Sequence, residues 1–295
     1  MKQTDTLKAA VIQRELCLDV AKNKRKIKEA IQEAAENGAK LVVLQELHNT
    51  VYFCYKEDVE FFDLAETIPG PSTEEFGALA KELGIVLVIS LFEKRAPGLY
   101  HNTAVVLEKD GSIAGTYRKM HIPDDPGFYE KFYFTPGDLG FKAIETSVGK
   151  LGVLVCWDQW YPEAARLMAM DGAEMLIYPT AIGWDMNDTE AERERQKNAW
   201  ITIQRSHAVA NGIPVLSANR VGLDIGVEES STFWGNSFIC GEQGEFLAHA
   251  DHKDETILYA ELSKKRSDNV RRIWPFFRDR RIDAFGDLLK RYGNK

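Results

Sequence analysis

The sequence predicts a layered α/β domain, and three observations carry that reading. Short apolar runs alternate with longer amphipathic segments on both sides of the chain's middle; a hairpin signature interrupts the alternation; and several apolar runs end in a residue capable of chemistry. In such a domain helices cover mixed sheets, and several strand ends gather at one rim, where ligands bind.

Leu7-Lys8-Ala9-Ala10-Val11-Ile12-Gln13 reads as a buried strand, and Asp19 opens an amphipathic helix rich in Lys and Glu that stops at Asn37-Gly38. Lys40 to Glu46 is a second buried strand, this one ending in a carboxylate. Pro71-Ser72-Thr73-Glu74-Glu75 begins a helix leading to Leu83-Gly84, and Ile85 to Ser90 is a third strand. Thr103 to Leu107, the turn Lys109-Asp110-Gly111 and Ile113 to Tyr117 form the hairpin. The run ending at Val155 is the next strand, followed by a helix around Glu163 to Met170 and a strand from Ala173 to Tyr178. A long charged helix spans about 189–211, and Ile213 to Ser217 is again extended. Strands at Ser237–Cys240, Glu245–His249 and Thr256–Glu261 close a domain of residues 1–262. The basic and aromatic segment 263–295, with Arg271-Arg272-Ile273-Trp274-Pro275-Phe276-Phe277, is expected to be an extended tail lying on the domain or at an oligomer interface. No repeat of 20 to 50 residues is present.

The 295 residues, 44% apolar, suffice for one sizeable core. A formal charge of −8 argues against a non-specific grip on nucleic acid or anionic lipid, which needs clustered Lys and Arg. The start of the chain has no signal-like apolar core, and no stretch has the roughly 18 apolar residues of a membrane helix, so a cytoplasmic protein is expected. Cys17, Cys54, Cys156 and Cys240 lie far apart, which suggests neither a disulfide framework nor a zinc site.

Cys156 stands just past Leu151-Gly152-Val153-Leu154-Val155, where the pattern turns polar and aromatic. Placed between a strand and a helix, it would receive the positive end of a helix dipole, and the Trp157 N–H would face an oxyanion. A thiol of ordinary pKa needs a base. One of the six histidines is one option; Glu46, at the end of a buried strand, is the better one, because burial raises a carboxyl pKa towards the range of proton shuttling. Lys119, where the hairpin strand ends, offers a fixed cation, and Glu130 can hold it in place. Singly, each has a bland counterpart: a small core residue, a solvated acid, a surface ion pair.

Four segments together resemble the nitrilase superfamily of carbon-nitrogen hydrolases: Leu44-Gln45-Glu46-Leu47, Tyr117 to Pro123, Glu130 to Asp138, and Val155 to Glu163. The resemblance runs from Lys8 to about Phe285 and implies a four-layer α-β-β-α sandwich, usually paired into dimers. It further implies a catalytic triad of Glu46, Lys119 and Cys156 supported by Glu130, with neither metal nor organic cofactor. Cys156 to Arg166, Tyr178 to Trp184 and Arg278-Asp279-Arg280-Arg281 look most like the branch that hydrolyses N-carbamoylputrescine in polyamine synthesis. Asp158 and Gln159 stand where relatives that bind a substrate carboxylate carry arginines, so the far end of the substrate is expected to be neutral or cationic. Asp125, Asp158, Trp184 and Asp185, with Trp157, are the expected substrate contacts. Other N-carbamoyl compounds, ω-amides and a non-catalytic binding role are the alternatives.

Overall fold

The computed structural model describes residues 6–185, 187–227 and 231–293; the outer limits of the two expected units, residues 1 and 295, lie outside them. In chain order the first half holds β1 Thr6–Gln13, α1 Val20–Glu36, β2 Leu41–Val43, α2 Pro71–Leu83, β3 Val86–Ala96, β4 Leu99–Leu107, β5 Ile113–Arg118 and α3 Glu130–Tyr133. The second holds β6 Ile144–Thr146, β7 Gly149–Val153, α4 Pro162–Met170, β8 Met175–Pro179, β9 Gly183–Trp184, α5 Glu190–Asn211 and β10 Val215–Ala218. Then come β11 Val221–Gly222, β12 Thr232–Trp234, β13 Phe238–Cys240, β14 Phe246–His249, β15 Thr256–Ser263 and α6 Lys264–Ile273.

Two six-stranded sheets, ordered β15-β1-β2-β3-β4-β5 and β14-β13-β10-β8-β7-β6, pack face to face. Each has three parallel strands at its centre and antiparallel strands outside them. The central strands are buried on both faces, which is why they read as unbroken apolar runs. Successive side chains still divide by the two-residue period: Ala9, Val11, Leu41, Val43, Val86 and Val88 meet the second sheet. Their neighbours Ala10, Ile12, Val42, Leu44, Leu87 and Ile89 meet α1 and α2. With α4 and α5 packed on the second sheet, the fold is the four-layer α-β-β-α sandwich. A small sheet, β11-β12-β9, stands at the rim.

Caps fall where the side chains dictate. Asp19 accepts from the Lys22 N–H at 2.9 Å to start α1, and Thr189 accepts from the Glu192 N–H at 3.2 Å to start α5. The third closing strand, β15, lies in the other sheet from β13 and β14 and pairs with β1 from Thr6–Ser263 to Gln13–Thr256. Two expectations need correction. The second strand is shorter than Lys40–Glu46, because after Val43 the chain turns to bring Glu46 inward. Finally, the segment after Ser263 is not extended at first: the Ser263 hydroxyl caps the Arg266 N–H, no breaker intervenes before Pro275, and Arg271 and Arg272 complement the C-terminal dipole of α6. Arg271 Nε donates to Asn211 O at 3.0 Å, and the Arg166 and Arg271 guanidiniums lie 4.7 and 5.5 Å from the centroid of the Phe277 ring. Among the described residues no helix is long and apolar enough to cross a membrane.

Candidate active site

Glu46 stands where strand ends of the two sheets meet. Leu44 N still donates to Val88 O at 3.0 Å, but Glu46 N donates at 3.3 Å to Thr180 O, just beyond β8 of the other sheet. Leu47 then adopts a left-handed φ of +50° and donates its N–H to Ser90 Oγ. The carboxylate is fully buried. Its Oε1 accepts from Lys119 Nζ at 2.9 Å and from Asn102 Nδ2 at 2.6 Å. Its Oε2 accepts no hydrogen bond from the described residues. One oxygen is anchored and the other is open to a proton.

Lys119 follows β5 and extends the β4–β5 pairing by one residue, its N–H donating to Asn102 O at 2.9 Å. Gly137 N donates to Lys119 O from the other side, and a Cβ at Gly137 would lie 2.0 Å from Arg118 O, so only glycine admits this approach. The ammonium is fully buried between Glu46 and Glu130 Oε2, the latter at 2.6 Å. Glu130 Oε1 accepts from the Tyr52 hydroxyl at 2.7 Å. Burial opposes the charge on Lys119, but Glu130 and Glu46 outweigh it and hold the lysine pKa well above its usual range. Burial pushes Glu130 up to about 7, with the neighbouring Glu46 charge acting in the same direction against the pull of Lys119.

Cys156 comes three residues after β7, with φ +43°, and opens a five-residue 3₁₀ turn, Cys156–Trp160. The expected helix dipole does not fall on it, because α4 begins only at Pro162. The side chain of Asp158 builds the turn instead. Its Oδ2 accepts from Val155 N at 3.0 Å and from the Tyr117 hydroxyl at 2.8 Å. Its Oδ1 accepts from the N–H of His121 at 3.1 Å and from Nδ1 at 2.7 Å, which places the imidazole proton on Nδ1. Because Tyr117 and His121 flank Lys119, Asp158 ties the cysteine turn to the lysine segment. Burial pushes the Cys156 thiol pKa well up, as does Glu46, while Lys119 opposes them, so the resting group is a thiol that needs a base.

A buried carboxylate, an ammonium and a thiol thus converge from both sheets. Residues 8–272 match the carbon-nitrogen hydrolase family. The chain belongs to the carbon-nitrogen hydrolase family of the nitrilase superfamily. It is 41% identical to a citrullinase of Francisella tularensis over 97% of this chain and 99% of that protein. It is also 41% identical to an N-carbamoylputrescine amidase of Arabidopsis thaliana, over 94% of this chain and 93% of that one. A carbon-nitrogen hydrolase crystal structure from Helicobacter pylori G27 superposes with a TM-score of 0.94 at 57% identity, covering 97% of this chain and 99% of that one.

In this carbon-nitrogen hydrolase, Cys156, Glu130 and Trp157 line a cavity of about 540 Å³, together with Asp125 and Asp185. Two other expected contacts are elsewhere. Asp158 is fully buried, with both oxygens occupied by the protein's own donors. Trp184 is outside the cavity wall, its indole N–H donating to Arg193 O at 3.1 Å and its ring packed on Trp234. Tyr52, Asn102 and Arg220 were missed from the sequence. Asn102 left a faint sign as a polar residue in a buried strand, whereas Tyr52 sits in an aromatic run that looks like core. Among the described residues no cluster of three or more His, Cys, Asp or Glu side chains is arranged to hold a metal ion.

Three outcomes are expected. Iodoacetamide labels Cys156 ahead of the others, since Cys156 lines the cavity, Cys54 and Cys240 are wholly enclosed and the Cys17 thiol donates a hydrogen bond to Asn23 Oδ1; peptide mass mapping reads the order, and uniform labelling would contradict the geometry. Asp158→Asn puts an amide donor against hydrogen-bond donors and destabilises the fold by about 1–3 kcal/mol in denaturant titration. Glu130, raised from 4.5 to about 7, favours the folded state most fully below pH 4.5 and loses that contribution as pH rises through 7. In Glu130→Gln, which cannot ionise, the fall in calorimetric Tm between pH 5 and pH 8 should be smaller than in the wild type.

Proposed function

We propose that the chain hydrolyses the ureido group of N-carbamoylputrescine to putrescine, carbon dioxide and ammonia, as a step of polyamine synthesis. The observation that carries this reading is the Glu46–Lys119–Cys156 convergence beside a cavity with carboxylates on its wall. The thiol proton passes to Glu46 Oε2 as Cys156 Sγ attacks the ureido carbonyl. Lys119 Nζ and the Trp157 N–H hold the oxyanion. Collapse breaks the bond to the terminal nitrogen, which leaves as ammonia with the proton from Glu46. Water, deprotonated by the same carboxylate, then attacks the carbamoyl thioester; the sulfur leaves and is reprotonated, and the carbamate splits into amine and carbon dioxide. Glu130 keeps Lys119 charged and in place.

The cavity supports a substrate with polar ends. Among the described residues, Asp125 Oδ1 is a buried acceptor without a partner, and the indole N–H groups of Trp160 and Trp234, also in the wall, are buried donors without one. Asp185, Asp188 and Glu192 line the same cavity and suit a protonated amine. Similarity to amidases of that name supports the choice of substrate. Arg195, which also lines the cavity and pairs with Glu192 at 2.8 Å, favours a second reading in which the far end carries a carboxylate as well as an amine, as in citrulline. That reading agrees with the similarity to a citrullinase.

The four cysteines are free thiols, in keeping with a reducing, cytoplasmic setting. Apolar side chains exposed on α4 and along the tail, among them Met170, Ile282, Leu288 and Leu289, support a homo-oligomer built from dimers.

Ammonia release is to be measured with N-carbamoylputrescine, L-citrulline, N-carbamoyl-β-alanine and an ω-amide. The polyamine precursor should give the highest kcat/KM, and Cys156→Ala should lower it by about 10³-fold or more while leaving Tm near the wild-type value. Preference for citrulline would replace the first reading with the second.

A further inference from the structure

Arg220 lies on the second half of the chain, between β10 and β11, yet its guanidinium serves the turn that carries Glu46. The side chain is 1% exposed. Nη2 donates to Glu46 O at 3.0 Å and to Leu47 O at 2.8 Å, and Nε approaches Glu46 O at 3.3 Å. Nη1 pairs with both oxygens of Asp224, at 3.2 and 3.3 Å. The Tyr52 and Phe233 rings lie beside the cation, with centroids 5.9 and 5.5 Å away.

The two carbonyls it binds bracket a strained bond. Leu47 has φ +50°, a conformation that costs an ordinary residue about 1–3 kcal/mol and persists only where the surroundings over-determine it. Asp224 adds a second connection: it accepts from the Tyr52 backbone N–H, and the Tyr52 hydroxyl donates to Glu130. One buried cation therefore reaches the backbone of one carboxylate and, through Asp224 and Tyr52, the other carboxylate that holds Lys119.

We propose that Arg220 is a positioning residue: its fork holds the Glu46–Leu47 turn in the left-handed conformation that aims the Glu46 carboxylate at the site of proton transfer. The claim rests on the proposed roles of Glu46 and Cys156 but not on the choice of substrate. Lysine keeps the charge at this position and loses the fork that binds two carbonyls and a carboxylate together. A carboxylate displaced by about 1 Å from its working position loses about 10²-fold in rate.

The test uses the full chain. Arg220→Lys is compared with the wild type for kcat, KM and the pH profile of kcat/KM on whichever ureido or amide substrate is turned over fastest. The rate of Cys156 alkylation by iodoacetamide is followed in parallel. The expected result is a kcat lowered about 30- to 100-fold, KM changed less than threefold, a shifted acid limb of the profile, and alkylation slowed. Rates are normalised to the folded protein, measured by near-ultraviolet circular dichroism, so that loss of fold is not counted as loss of positioning. Wild-type turnover per folded molecule with an unchanged pH profile would overturn the proposal. Asp224→Asn is the second variant and leaves the fork on the Glu46 and Leu47 carbonyls in place. It should retain more activity per folded molecule than Arg220→Lys, and the reverse order would equally overturn the assignment. If Cys156→Ala remained active, the proposed role of Cys156 would fail instead, and that result is read independently of Arg220.

Discussion

The site is organised around one ammonium group that no water reaches. Lys119 Nζ is fully buried, and an ion of that size loses several kcal/mol of hydration on entering a protein interior. Only close opposite charge in good geometry offsets that cost, and Glu46 and Glu130 supply it at 2.9 and 2.6 Å. Burial raises the Glu130 carboxyl to about 7, with the Glu46 charge adding to that rise against the pull of Lys119, and Asn102 and Tyr52 donate to the two carboxylates. Removal of Lys119 would leave two buried carboxylates without their counter-ion.

That constraint links the two sheets. Glu46, Lys119 and Glu130 come from the first half of the chain, while Cys156 and Arg220 come from the second. The Glu46 N–H bond to Thr180 O, the Arg220 bonds to the Glu46 and Leu47 carbonyls, and the Asp158 bonds to Tyr117 and His121 all cross between the halves. The large apolar core between the sheets brings the partners within reach, and these polar links then set their register. Two residues on this seam, Leu47 and Cys156, hold left-handed backbone angles that the surrounding hydrogen bonds maintain.

The cavity continues the same division of labour. Its inner wall holds Glu130, Cys156 and Trp157, and the rest of its lining comes from the loop around Asp125, from Ala181, Ile182, Gly183 and Asp185, and from Asp188 and the N-terminal half of α5. Relatives at similar identity carry different substrate names, citrullinase and N-carbamoylputrescine amidase. Loops tolerate change more readily than buried ion pairs do, so differences in the far end of a substrate can be met there without disturbing the inner wall.

The local pattern of the chain determined most of the elements by itself. Apolar runs marked the central strands, Asp19 and Thr189 marked helix starts, and Glu46, Lys119 and Cys156 stood out as chemical groups at the ends of such runs or just beyond them. Tertiary structure alone decided which groups face one another. It turned Asp158 inward, set Trp184 behind the cavity wall, carried β15 across to β1, and put Asn102, Tyr52 and Arg220 around the carboxylates. The reason is physical: periodicity and capping depend on neighbours within a few residues, whereas Glu46 meets Lys119 across 73 positions and Arg220 across 174. Only the closed sandwich brings such residues within hydrogen-bonding distance.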